Sequence, residues 1–160
     1  MKKQNGLLFL IIVSLDLLTK HLVSQNIESF ESVEVISGFF SLTYAKNTGA
    51  AWSLFSGRIG ILTLISFVGI VGFCILYKMT DSKYRWEKIA ITMMIAGAFG
   101  NFYDRLVLGY VRDFLDFIIF NYDFPIFNVA DTSLCLGVVL LMICTLLKKE
   151  EDDGKENLDS

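Results

Sequence analysis

The stretch IGILTLISFVGIVGFCILY, from Ile59 to Tyr77, contains no charged side chain. About 20 mostly apolar residues wound as a helix cross a hydrocarbon core of about 30 Å, so this stretch reads as a membrane span. Three further blocks have the same character: Gly6 to Val23, Ile89 to Tyr103 and Val129 to Leu147. Polar residues interrupt the C-terminal end of the third block. Its Ala96-x-x-x-Gly100 spacing offers a small face for close helix contact. The composition agrees: the 160 residues are 54% hydrophobic with 14 Phe, against about 45–50% apolar in a soluble domain. The length suits one domain. The expected fold is therefore mainly α, a polytopic membrane protein with four transmembrane helices.

Lys2, Lys3 and the apolar run Leu7–Val13 begin like a signal peptide. No small-x-small cleavage site follows and the apolar run continues past Asp16, so the block reads as a retained span. Lys and Arg set the orientation. Lys2 and Lys3 precede span one, Lys78, Lys83, Arg85 and Lys88 separate spans two and three, and Lys148 and Lys149 follow span four. With four spans all three groups lie on one side, the cytoplasm, and both termini are cytoplasmic. The loops Ser24–Arg58 and Asp104–Asn128 then face outward.

Those loops carry strand signals. Val33–Ala45 alternates partly and is rich in Phe, Val, Thr and Tyr, and Val111–Phe120 is similar. A small extracytoplasmic β-sheet on the membrane surface is expected. Residues 1–149 read as one four-span membrane domain, and residues 150–160 as an acidic, disordered cytoplasmic tail.

Composition also excludes classes. Net charge is −3, and no basic stretch is dense enough for nucleic-acid binding. Cys74, Cys135 and Cys144 lie inside apolar blocks, match no zinc or disulfide spacing, and read as small buried hydrophobes. His21, the only histidine, has no Cys or second His nearby, so no metal site is expected.

The informative residues are polar ones near the membrane. An ionisable group at mid-membrane costs about 2.5–3.5 kcal/mol and marks function by default. Asp16 and Lys20, at i and i+4 in span one, share a face and can pair, which suits support of a site. Asn101, Asp104 and Arg105 share one face at the end of span three if the helix continues. Asn128-Val-Ala-Asp131 opens span four as an N-cap with an acid three residues on, a capping-box pattern that suits the helix dipole. Between them stands Asp113-Phe-Leu-Asp116. Residues three apart in a strand face opposite sides, so one of these carboxylates points at a given site, and spacing leaves open which. Asn47-Thr-Gly permits a tight turn, and Trp52 and Phe55 suit a membrane interface.

No Gly-x-Ser-x-Gly, His-Glu-x-x-His or phosphate-binding loop is present. What remains is a set of aspartates converging on the outer face. Two close carboxylates cannot both ionise cheaply and share a proton. The ionised one takes a proton from water and the protonated one polarises a scissile carbonyl, as in aspartic peptidases, with no metal or cofactor.

Five segments, in order, resemble the bacterial lipoprotein signal peptidases (signal peptidase II): Asp16-Leu-Leu-Thr-Lys20, Asn47-Thr-Gly-Ala-Ala-Trp52, Gly97 to Arg105, Val111-Arg-Asp113-Phe-Leu-Asp116-Phe and Phe127-Asn128-Val-Ala-Asp131. The resemblance implies a hydrolase of the bacterial cytoplasmic membrane, with its active site near the outer face. It would cut signal peptides from diacylglyceryl-modified prolipoproteins just before the lipidated cysteine, without a cofactor. Membrane lipids and globomycin-type inhibitors are the other implied partners. It places the catalytic pair on Asp113 and Asp131, the substrate groove on Asn47, Asn101, Arg105 and Asn128, and supporting positions on Asp16, Lys20 and Asp104. Arg112 stands where the family more often has an apolar residue; in a strand it faces away from Asp113. The rival reading is a small proton-coupled transporter, which needs acids near mid-membrane on several spans. Only Asp16 fits that description.

Overall fold

A computed structural model describes residues 3–49 and 57–156 of the chain, with side chains described as far as residue 148. Lys2, Trp52 and Phe55 lie outside the described residues. Four long helices are present: α1 (Lys3–Asn26), α2 (Ile59–Met79), α3 (Arg85–Leu108) and α4 (Val129–Glu156). Three of them, with α4 counted over Val129–Lys148, are long and apolar enough to cross a membrane.

Of the four expected spans, α1, α2 and α4 meet that length and apolarity, and α3, whose polar C-terminal end stood out in the sequence, falls short of the apolarity. The reason is its place in the bundle. α3 packs against α1, α2 and α4, and its Ala90, Ile91, Thr92, Ala96, Gly100, Asn101 and Asp104 are all buried. A helix surrounded by protein can carry polar residues that a lipid-facing helix cannot.

The outer helices show the converse pattern. Leu10, Leu18, Leu64, Val68, Met142 and Leu146 are exposed, as suits helices whose other solvent is hydrocarbon. The cysteines follow this rule and correct the expectation of burial. Cys74 and Cys135 are exposed and Cys144 is partly so, because an apolar face in a membrane protein need not face inward.

The close approach of α3 to α4 depends on small residues. A Cβ on Gly97 would overlap Ala130 O and lie 2.9 Å from the Leu134 N atom, and one on Gly100 would overlap the Asp16 carboxylate. The contact face thus runs through Gly97 as well as Gly100.

Beyond the bundle lies an antiparallel four-stranded sheet: β1 (Ser32–Ile36), β2 (Phe40–Asn47), β3 (Val111–Ile119) and β4 (Tyr122–Asp123), in that order. The single strand expected over Val33–Ala45 is two. Gly38, at φ +67°, turns the chain between Ile36 and Phe40, a conformation glycine adopts at no steric cost. Phe120 and Asn121, both with positive φ, make the turn from β3 to β4. Tyr44 and Phe114 pack on Val23 of α1 and on Ile27 just past its end, so the sheet sits on the end of α1. Phe117 stacks between Phe40 and Phe127 at 4.6 and 5.7 Å. Leu115 and Phe127 exchange backbone hydrogen bonds of 2.8 and 3.1 Å, and this bridge fixes where α4 begins.

Candidate active site

The bridge from β3 to Phe127 sets Asn128 beside Asp113. Asn128 is fully buried and caps α4: its Oδ1 accepts the Asp131 N–H at 2.9 Å, and its own N–H donates to Asp131 Oδ2 at 3.2 Å. This reciprocal pair is the capping box expected from the spacing. The same Asn128 side chain donates through Nδ2 to Asp113 Oδ1 at 2.6 Å and to Asn101 Oδ1 at 3.1 Å. Asn128 therefore touches both carboxylates, Asp113 through its side-chain amide and Asp131 through its backbone N–H. Asn101 on α3 completes the ring, donating to Asp131 Oδ1 at 2.6 Å. Asn47, at the end of β2, donates to Asp113 Oδ2 at 2.8 Å, and its Oδ1 accepts the Gly49 N–H at 2.8 Å.

Asp113 is 2% exposed. Burial, and next the Asp131 charge, push its carboxyl up to about 7, while the Asn47 and Asn128 donors pull it down. Asp116 turns to the other face of β3 and accepts the Thr43 hydroxyl at 2.6 Å. Spacing left open which of Asp113 and Asp116 belongs to a site; the geometry joins Asp113 to Asp131.

Behind this ring lies a second set of charges. Lys20 Nζ donates to Asp16 Oδ2 at 2.8 Å and to Asn101 Oδ1 at 3.0 Å, and lies 3.6 Å from Asp104 Oδ2. Asp16 Oδ1 accepts the Ala130 N–H at the start of α4, at 2.9 Å. Asp16, Lys20 and Asp104 are each 0% exposed. Arg112 faces away from Asp113 and clamps Asp104 with Nη2 at 2.7 Å and Nε at 3.1 Å. Sequence reasoning foresaw its direction but not its partner. A buried charge without a partner is costly, and here two acids meet two bases.

Asn47, Asn101, Arg105, Asp113 and Asp131 line a cavity of about 510 Å³. Asn128 is not on that wall; it stands behind the carboxylates. The other wall is apolar, built by Phe124, Pro125, Ile126, Phe127 and Leu136, with Thr132 and Cys135 beside Asp131. The sequence reading missed this wall, whose only signal was a short apolar run after a turn. Arg105 reaches Ser66 Oγ and Gly49 O at 3.4 and 3.3 Å, and its buried Nε has no protein partner. Among the described residues no three His, Cys, Asp or Glu side chains gather as a metal-holding group.

Fold and site together define a class: an integral membrane protein whose buried acid pair opens into a largely apolar cavity. The profile of the family described as Signal peptidase (SPase) II matches residues 8–147. The chain is 42% identical to the lipoprotein signal peptidase of Bacillus subtilis over 147 residues, covering 92% of this chain and 93% of that one. It is 43% identical to that of Staphylococcus haemolyticus over 136 residues, covering 84% and 85%. A solved structure described as a bacterial membrane enzyme, determined by the in meso method at 2.3 Å, matches with a TM-score of 0.88 at 36% identity, covering 95% of this chain and 92% of that one. This chain belongs to the signal peptidase II family.

Proposed function

We propose that the protein removes signal peptides from diacylglyceryl-modified prolipoproteins in the bacterial cytoplasmic membrane, with Asp113 and Asp131 as an aspartic dyad. The observation that carries the dyad is Asn128, which bonds Asp113 Oδ1 through its side-chain amide and Asp131 Oδ2 through its backbone N–H, behind the cavity that both carboxylates line.

In this reading Asp131 is the ionised partner and takes a proton from water. The water oxygen attacks the scissile carbonyl carbon while Asp113 gives its proton to the carbonyl oxygen. Collapse of the tetrahedral intermediate returns that proton to Asp113 and passes the Asp131 proton to the leaving amine. Both acids are then restored. Asn128 and Asn47 hold Asp113 in place. Asn101 orients Asp131 and is itself fixed by Lys20. Arg105, with an unmatched Nε, supplies a donor for substrate backbone or headgroup oxygen. The apolar wall suits a lipid-bearing, apolar substrate.

In this reading α3 is the fourth span, both termini are cytoplasmic and the dyad lies near the outer face. The basic groups before α1, between α2 and α3 and after α4 support that orientation. A transporter reading is less well supported, because Asp16 is already paired with Lys20.

The direct test is cleavage of a diacylglyceryl-modified precursor by purified protein, read as a gel shift. Globomycin should block it and chelators should not. Activity lost in a chelator and restored by zinc would refute the aspartic mechanism. Arg105→Ala should weaken turnover while the protein still accumulates in the membrane; a wild-type rate would remove it from the site.

A further inference from the structure

A second, smaller cavity of about 120 Å³ lies between the first turns of α1 and the connection from α2 to α3, lined by Asn5, Leu8, Ser82, Arg85, Lys88 and Ile89 among others. Lys88 and Asn101 share α3 and stand about 20 Å apart along it, so this cavity is at the end of the bundle remote from the dyad. No carboxylate is among its described lining residues. The nearby Asp81 is committed to its own turn, accepting the Lys83 N–H at 3.0 Å.

The walls are held in place by one tyrosine. Asn5 Nδ2 donates to the Tyr77 hydroxyl at 2.9 Å, and Lys88 Nζ donates to Tyr77 O at 3.1 Å while lying 4.3 Å from the ring centroid. Among the described residues Arg85 makes no ion pair. The lining combines amides, a hydroxyl and two cations with the apolar Leu8 and Ile89. Next to it Trp86 is 66% exposed, the position of an aromatic residue at headgroup level.

We propose that this cavity binds the phosphodiester of an anionic phospholipid, with the phosphate between Arg85 and Lys88 and an acyl chain along Leu8 and Ile89. The inference rests on α1 and α3 lying across the membrane and is independent of the dyad. Two cations beside neutral donors suit an oxyanion, and basic pockets between membrane helices hold such headgroups. A free phosphate shares that chemistry but makes no use of Leu8 and Ile89 or of the exposed Trp86 beside Arg85.

The test is native mass spectrometry of the full chain in a non-ionic detergent, after incubation with equal amounts of phosphatidylglycerol and phosphatidylcholine of matched chains. Phosphatidylglycerol should be retained as a one-to-one adduct in preference to phosphatidylcholine. Arg85→Gln with Lys88→Gln should weaken retention by about 25-fold, about fivefold per cation. Ser82→Glu, which sets a negative charge at the rim and removes no packing, should do the same without loss of fold. Lys46→Gln, on the sheet at the other end, should leave retention unchanged. Asp113→Asn should also leave it unchanged, which keeps failure of this site distinct from failure of the dyad. Equal retention of both lipids, indifference to Ser82→Glu, or displacement by millimolar inorganic phosphate would each overturn the assignment.

Discussion

Each oxygen of Asp131 has its own donor, Asn101 for Oδ1 and the Asn128 backbone for Oδ2. An asparagine at 131 keeps one acceptor and turns an NH2 group toward a donor. Loss of the charge–dipole interaction, about 0.3–1 kcal/mol, is therefore joined by about 1–3 kcal/mol for the unmade hydrogen bond. The sequence alone suggested only the first of these. Asp131→Asn should still fold, with a lowered Tm, yet cleave lipidated precursor orders of magnitude more slowly. Asp113→Asn should be as inactive, and Asp116→Asn mild, because that carboxylate serves Thr43. Substantial turnover by Asp131→Asn would leave it only its capping role. The raised Asp113 carboxyl gives a pH prediction. Its value of about 7 lies above the ordinary 3.8, so unfolding releases a proton between those limits and this group's contribution to stability declines as pH rises from 3.8 to 7. kcat/KM should fall on an alkaline limb centred near 7, as Asp113 loses the proton it donates. Asn47→Leu, which removes a donor favouring the charged form, should move that limb to higher pH; a shift to lower pH would contradict the assignment.

The contact between α3 and α4 holds the site at the scale of whole elements. Gly97 meets the Ala130 carbonyl, and the N–H of that same residue binds Asp16. Gly97→Ala should force the helices apart, costing about 1–3 kcal/mol as overpacking does, and should lower activity with it. Gly69→Ala on α2, where an added Cβ meets nothing within 4 Å, should be neutral or slightly stabilising. Thermal unfolding in detergent, measured on both, decides whether the small face is structural. Much of this level was legible beforehand. The apolar blocks announced α1, α2 and α4, and the alternation in Val111–Phe120 announced β3. The β1–β2 hairpin was not separated, since Ser37-Gly38 lies inside an otherwise continuous β-rich run. At the site, residue types and order pointed to Asn128 and Asp131 and left Asp113 and Asp116 open, and only the family resemblance chose Asp113. No local pattern tells that Asn128 reaches back to Asp113 and Asn101, because that depends on the backbone bridge between Leu115 and Phe127. Arg112 likewise betrayed its direction through strand alternation, while its partner Asp104 depends on how α3 meets β3.

For the molecule as a whole, the distribution of basic residues supports the proposed orientation, with both termini cytoplasmic. With its three native cysteines replaced, the protein carrying Ser82→Cys should resist an impermeant thiol reagent applied from outside, and Glu31→Cys should react. The reverse pattern would invert the topology and move the dyad to the cytoplasmic side. The balanced charges behind the dyad also bear on how the chain is made. Its members arrive in order during synthesis: α1 brings Asp16 and Lys20 already matched as neighbours on one helix, and α3 brings Asp104 with only a distant share of Lys20. The compensating Arg112 lies past the end of α3. A chain that ends before β3 therefore lacks the closer of the two cations that hold Asp104, and the charge balance behind the dyad is complete only once β3 is in place.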